Sequence, residues 1–141
     1  IIRPVMMYGA ETMTMTKREE EELRITERKI LRTLLGQIKV NDECRPYMNH
    51  EILKELGGVE ITKRIKMQRI KWLGHVWRMG GRENALSMLQ WEPGGRRRRG
   101  RPRSRWIKEV EENLKEIGIV EWKEKTKNRD LWRQIGEKML K

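Results

Sequence analysis

Apolar residues recur at helical spacing in blocks separated by glycine, and each block predicts a helix. Thr16-Lys17-Arg18-Glu19 has the spacing of a capping box, in which the Thr16 hydroxyl accepts from the Glu19 amide and the Glu19 carboxylate reaches back to Thr16. Leu23, Ile25, Ile30, Leu31 and Leu34 then form an apolar stripe, interrupted by Thr26, that runs to Gly36, a left-handed stop. Residues 41–46 are rich in turn formers and read as a connection, and Asn49 is placed to cap a short helix over 50–56 that Gly57-Gly58 ends.

The longest pattern starts at Ile61. Ile61, Ile65, Trp72, Val76 and Met79 fall on one face, widened by Ile70, Leu73 and Trp77, until Gly80-Gly81. A brief apolar stretch, 85–91, leads into Pro93-Gly94-Gly95. Helical spacing resumes at Trp106 with Ile107, Val110, Leu114 and Ile117 before Gly118, and shorter amphipathic pieces follow around Trp122 and over 131–140. Strand signal is nearly absent, so the expected fold class is all-α: several amphipathic helices with an extended Arg-rich loop. The expected division is 1–15, then a helical subdomain over 16–92, a basic loop over 93–105 and C-terminal helices over 106–141.

Charge changes this picture more than composition does. The 141 residues carry 33 Lys plus Arg against 21 Asp plus Glu, a formal +12. Residues 61–108 hold 15 basic and 2 acidic side chains, so this third carries a net +13 and the flanks nearly cancel. Such concentration is the footprint of a polyanion-binding surface. Lys63, Arg64, Lys66, Arg69, Lys71 and Arg78 are interleaved with apolar residues on the long helix, whereas Arg96, Arg97, Arg98, Arg99, Arg101, Arg103 and Arg105 form a run punctuated by Gly100 and Pro102. Seven guanidinium groups in ten residues repel one another and favour an extended segment.

The same inventory removes several chemistries. One cysteine, Cys44, excludes an internal disulfide, and with His50 and His75 it leaves too few ligands for a zinc knuckle. Two-metal polymerases and nucleases need converging carboxylates, yet the chain has two aspartates, Asp42 and Asp130. Its 19 glutamates stand mainly in a first helical turn or alternate with Lys and Arg on exposed faces. His75 reads as a packed or partly exposed histidine before a nucleic-acid contact. No catalytic residue, phosphate loop, cofactor or metal is expected, and no apolar run is long enough to span a membrane.

Three readings of the basic run stay open. Arg99-Gly100-Arg101-Pro102 resembles the core of an AT-hook, in which glycine permits close approach to a narrow minor groove and proline keeps the segment extended. The same guanidinium groups suit sequence-tolerant forks onto RNA or DNA phosphates, with binding that falls steeply with salt. The third reading is a nuclear-localisation signal or a solvated linker. Trp72, Trp77, Trp106 and Trp132 stand at helical spacing and read as core. Trp91 and Trp106 bracket the run, either anchoring its ends or stacking on unpaired bases.

The residue blocks also form an ordered series. Ile2-Arg3-Pro4-Val5, Tyr8-Gly9-Ala10-Glu11-Thr12, Glu27-Arg28-Lys29-Ile30-Leu31-Arg32, Trp72-Leu73-Gly74-His75-Val76, the run 95–106 and Asp130-Leu131-Trp132-Arg133 occur in that order. Together they resemble the C-terminal region of the endonuclease-reverse transcriptase polyprotein of LINE-type (non-LTR) retrotransposons. The resemblance implies a piece of a longer polypeptide, with residues 1–15 the trailing edge of the polymerase thumb and the remainder a helical extension that holds element RNA or target DNA. It implies the reverse-transcriptase core as a partner, an RNA-directed DNA polymerase as the parent, and the nucleus as location. No catalytic residue carries over, so this segment is expected to be non-catalytic; the alternatives are a structural part needed to complete the RNA-directed DNA polymerase, or a non-functional relic of a decayed element. The candidate contacts are Arg96 to Arg99, Arg101, Arg103 and Arg105, joined by Lys63, Lys66 and Arg69. Met13 stands where relatives usually carry tryptophan, and Thr26 where they carry a large aromatic. A buried, unpaired Thr26 hydroxyl on that stripe costs about 1–3 kcal/mol.

Overall fold

A computed structural model describes residues 2–55, 57–80, 84–92, 94 and 105–140. The described residues form eight helices and one hairpin: α1 (Ile2–Met6), α2 (Lys17–Leu35), β1 (Gln37–Val40), β2 (Glu43–Pro46), α3 (Asn49–Glu55), α4 (Ile61–Met79), α5 (Asn84–Gln90), α6 (Trp106–Glu116), α7 (Trp122–Lys125) and α8 (Arg129–Lys138). The architecture is mainly helical.

The hairpin corrects the all-α expectation. β1 and β2 are antiparallel with Val40 opposite Glu43, and Asn41 and Asp42 close the turn at φ 51° and 65°. Two successive left-handed residues match the right-handed twist of a two-residue hairpin, and Asn and Asp tolerate that conformation better than other non-glycine residues. The turn residues were visible in sequence; the short strands were not, because four residues with little apolar alternation carry almost no periodic signal.

The α2 capping box is present. The Thr16 amide donates to Glu19 Oε2 at 2.6 Å, and the Glu19 amide donates to Thr16 Oγ1 at 3.3 Å. Asn49, however, lies inside α3 instead of capping it. Met48 takes the cap position, its carbonyl accepting from the Ile52 amide at 3.1 Å and its amide donating to Glu51 Oε2 at 2.8 Å. Asn49 Oδ1 instead accepts from Arg32 Nη2, which ties α3 to α2.

Helix α4 is the axis of the molecule. On one side Ile70 and Leu73 pack with Val110 and Leu114 of α6, Trp122 of α7, and Trp132 and Ile135 of α8. On another, Ile61 and Ile65 pack with Ala10, flanked by Met6, Met7, Met15 and Leu23. The expected tryptophan packing is found: Trp72 meets Trp106 edge-to-face with centroids 5.1 Å apart, and Trp77 meets Trp122 at 4.7 Å. Such pairs contribute about 0.5–1.5 kcal/mol beyond their buried area.

The α2 stripe is less apolar than its spacing implies. Ile25 and Leu34 are exposed, and the residue that α2 buries is Glu27, 4% exposed. Its carboxylate accepts from Arg3 Nε at 2.6 Å and from the Ile61 amide at 3.4 Å, so it serves the otherwise unpaired N-terminus of α4 while paired with a cation. Thr26 is exposed and donates to the Glu22 carbonyl at 2.8 Å, so the expected cost of its hydroxyl is absent.

Candidate nucleic-acid interface

The ten expected contact residues meet different fates. Arg96, Arg97, Arg98, Arg99, Arg101 and Arg103 lie outside the described residues. Arg105, Lys63, Lys66 and Arg69 are described: Lys66 and Arg69 both reach from α4 to α6, at Glu116 and Glu109, while Arg105 stands just before α6 and turns back to Glu92 and the Trp91 carbonyl.

Arg69, one of the expected contacts, is 1% exposed. Its Nε donates to the Ala10 carbonyl at 3.4 Å, its Nη2 to the Met13 carbonyl, and its Nη1 lies 3.4 Å from Glu109 Oε2. The same Glu109 oxygen accepts from the Met15 amide at 3.3 Å. Burial pushes the guanidinium pKa down, and the Glu109 charge opposes that shift. The group joins the 10–15 segment to α4 and α6, and its donors face protein carbonyls in place of phosphate.

Lys66 donates to Glu116 Oε2 at 3.1 Å across the α4–α6 groove, so its charge is met within the protein. Lys63 is half-buried. The residues that α4 turns to its outer side are others. Lys71, His75 and Arg78 follow one another at intervals of four and three, which places them in a single stripe, whereas Arg64, one register earlier, is half-buried with its Nε enclosed. Lys71 and His75 are exposed, while Arg78 leans on the Thr126 carbonyl at 2.9 Å. Burial, together with the nearby Arg129 charge, lowers the Arg78 pKa. The sequence does contain this stripe. It is masked there because Lys63, Lys66 and Arg69 are equally basic, and only the position of the core tells the faces apart.

Arg105 occupies the most informative place. As the residue before α6 it is extended, with φ −92° and ψ 136°, and its guanidinium reaches back 13 residues to the Glu92 carboxylate while Nη2 donates to the Trp91 carbonyl at 2.6 Å. The two ends of the segment 93–104 are thereby held together. On the far side of the clasp, Trp106 Nε1 donates to the Glu11 carbonyl at 2.8 Å and its ring packs on Trp72, so α6 begins from a fixed point. Trp106 thus anchors. Trp91, by contrast, is 62% exposed.

Among the described residues no cluster of three or more His, Cys, Asp or Glu side chains is placed to hold a metal ion, and no helix is long and apolar enough to cross a membrane. Cys44 is a free thiol exposed on β2.

No protein-family model matches the chain, and no solved structure is significantly similar to it. It is 26% identical over 140 aligned residues to an uncharacterised transposon-derived protein of Caenorhabditis elegans, an alignment covering 94% of this chain and 50% of that protein. The chain therefore spans about half the length of this relative, and its relationship is to a protein of transposon origin.

Proposed function

We propose that this chain is the nucleic-acid-holding C-terminal segment of a LINE-type retrotransposon reverse transcriptase, non-catalytic by itself, which grips template RNA or target DNA through the arginine run 96–103. The carrying observation is the net +13 confined to residues 61–108, whose densest part is the run spanning the Arg105–Glu92 clasp. A clasped base supports this reading, because fixing both ends of a cationic segment lowers the ordering entropy to be lost on binding. The transposon origin of the relative supports the wider assignment. The partner of such a segment is the polymerase core of the same polyprotein, and its compartment the nucleus.

The test is a titration against a fluorescent RNA hairpin and an A·T-rich duplex at several salt concentrations. A companion variant carries serine at Arg96 to Arg99, Arg101 and Arg103 and keeps Arg105, so that the clasp survives. Steep salt dependence in the wild type, with a slope of roughly 0.7–0.9 per phosphate neutralised, and its loss in the variant would support the reading. Binding that is absent or insensitive to salt would remove it. The preferred ligand separates minor-groove reading from RNA holding. Addition in trans to a truncated polymerase core, with processivity as readout, tests the partner.

A further inference from the structure

Five of the six tryptophans are accounted for by packing: Trp72 with Trp106, and Trp77, Trp122 and Trp132 in a second aromatic group. Trp91 belongs to neither. Its indole, just past the end of α5, is 62% exposed, and Met88, three residues earlier in that helix, is 75% exposed. Large rings so open to water are uncommon on a protein surface. Nor is the exposure that of a loosely held chain. The Trp91 amide donates to the Ser87 carbonyl at 2.9 Å, and its carbonyl accepts from Arg105 Nη2 at 2.6 Å, so the backbone on both sides of the ring is fixed while the ring stands free.

We infer that Trp91 is a stacking platform for unpaired nucleobases, extended along its edge by Met88. The inference rests on the nucleic-acid reading above and specifies its ligand as single-stranded. Arg105, the last arginine of the run, is bonded to the Trp91 carbonyl, so a strand held by that arginine comes within reach of the indole. A flat apolar ring beside concentrated positive charge is the combination that single-strand binders use: the charge tracks the backbone and the ring takes the π-face of any base. A duplex keeps its bases stacked on one another and offers the ring nothing comparable. An apolar protein surface would also cover Trp91, but the net +13 of this region repels a basic partner, including a second copy of this +12 chain, and attracts a polyanion.

The experiment compares the full chain with Trp91→Ala, Trp91→Tyr and the six-serine variant. Ligands are a labelled single-stranded oligo-U RNA and a blunt RNA duplex of equal length, at three salt concentrations. Trp91→Ala should weaken single-strand binding roughly tenfold, within the range for losing one stacked base, at every salt concentration. Its salt slope should stay that of the wild type, since no phosphate contact is lost, and duplex binding should be unchanged. Trp91→Tyr should restore most of the loss, and the indole quenching seen on adding oligo-U should shrink in Trp91→Ala. The six-serine variant should show the opposite signature, a shallower slope on both ligands. Unchanged single-strand affinity in Trp91→Ala, or equal loss on both ligands, would overturn the inference. So would a self-association that Trp91→Ala abolishes while RNA binding is untouched. If the wild type binds neither ligand, the underlying reading fails; if it binds with a steep slope and only the Trp91 effect is missing, the stacking site alone fails.

Discussion

The indole of Trp132 lies across Gly74 so closely that a Cβ at Gly74 would sit 2.0 Å from Trp132 Nε1, while that nitrogen donates to the Ile70 carbonyl at 2.8 Å. Gly74 is mid-helix in α4, where alanine would ordinarily add about 1 kcal/mol of helix propensity. Here the steric effect wins, because a separation below 3.0 Å against a rigid ring forces α8 away from α4. Gly74→Ala should lower stability by several kcal/mol, beyond the roughly 1–3 kcal/mol usual for overpacking. A thermal melt measures this, and the test of cause is coupling: in a Trp132→Leu background, Gly74→Ala should cost little or nothing.

Arg69 should behave as a structural cation. Arg69→Ala leaves the Glu109 carboxylate with the Met15 amide but without its cation and takes a donor from the Ala10 and Met13 carbonyls, and loss of one partner of a buried pair costs about 3–5 kcal/mol. The denaturation midpoint should fall accordingly. The salt slope of nucleic-acid binding, measured where the variant is still folded, should stay unchanged; a reduced slope would place Arg69 on phosphate after all.

Glu116 holds Lys66 at 3.1 Å on the α4–α6 groove. Glu116→Gln frees that cation and removes a nearby negative charge. Under the proposed function it should tighten RNA binding modestly and steepen the salt dependence by up to about one counterion, with little change in the melt, since such partly exposed pairs contribute about 0–1 kcal/mol.

Gln68 presents the opposite case. Its Oε1 is buried without a hydrogen-bond partner. Gln68→Met keeps the shape and deletes the unmet acceptor, so the melting temperature should hold or rise. A clear fall would show that the amide has a partner in solution.

Glu51 supplies the pH dependence. The Arg45 guanidinium, donating at 2.7 and 2.9 Å, and then the Met48 amide lower its carboxyl from 4.5 to about 2. A carboxyl whose folded value is depressed stabilises fully above its unfolded value and loses that contribution as pH falls through the folded one. The hairpin–α3 junction should therefore hold at pH 5 and loosen between about pH 4.5 and 2, followed by NMR shifts of Cys44 and Glu51; Glu51→Gln should abolish that titration.

Much of this protein was legible before its fold. The Thr16–Glu19 capping box and the extent of α4 from Ile61 to Met79 rest on neighbours three or four residues apart, and local chemistry decided them. So did the charge concentration, which is arithmetic on side chains. What the tertiary structure decided was which of several equivalent residues goes where. Arg69 and Lys71 are alike in sequence, yet one is buried under the 10–13 turn and the other faces water, because Ala10 and Glu109 come to α4 from 59 and 40 residues away. Glu27 lies buried within α2 because Arg3 and the Ile61 amide meet it there. Trp91 and Trp106 bracket the arginine run in sequence, and only folding gives Trp106 the Glu11 carbonyl and Trp72 to pack on while leaving Trp91 open. Hydrophobic spacing determines that a helix has an inside. Contacts distant along the chain determine which polar residues are admitted to it, because burial of a charge depends on the partner that arrives.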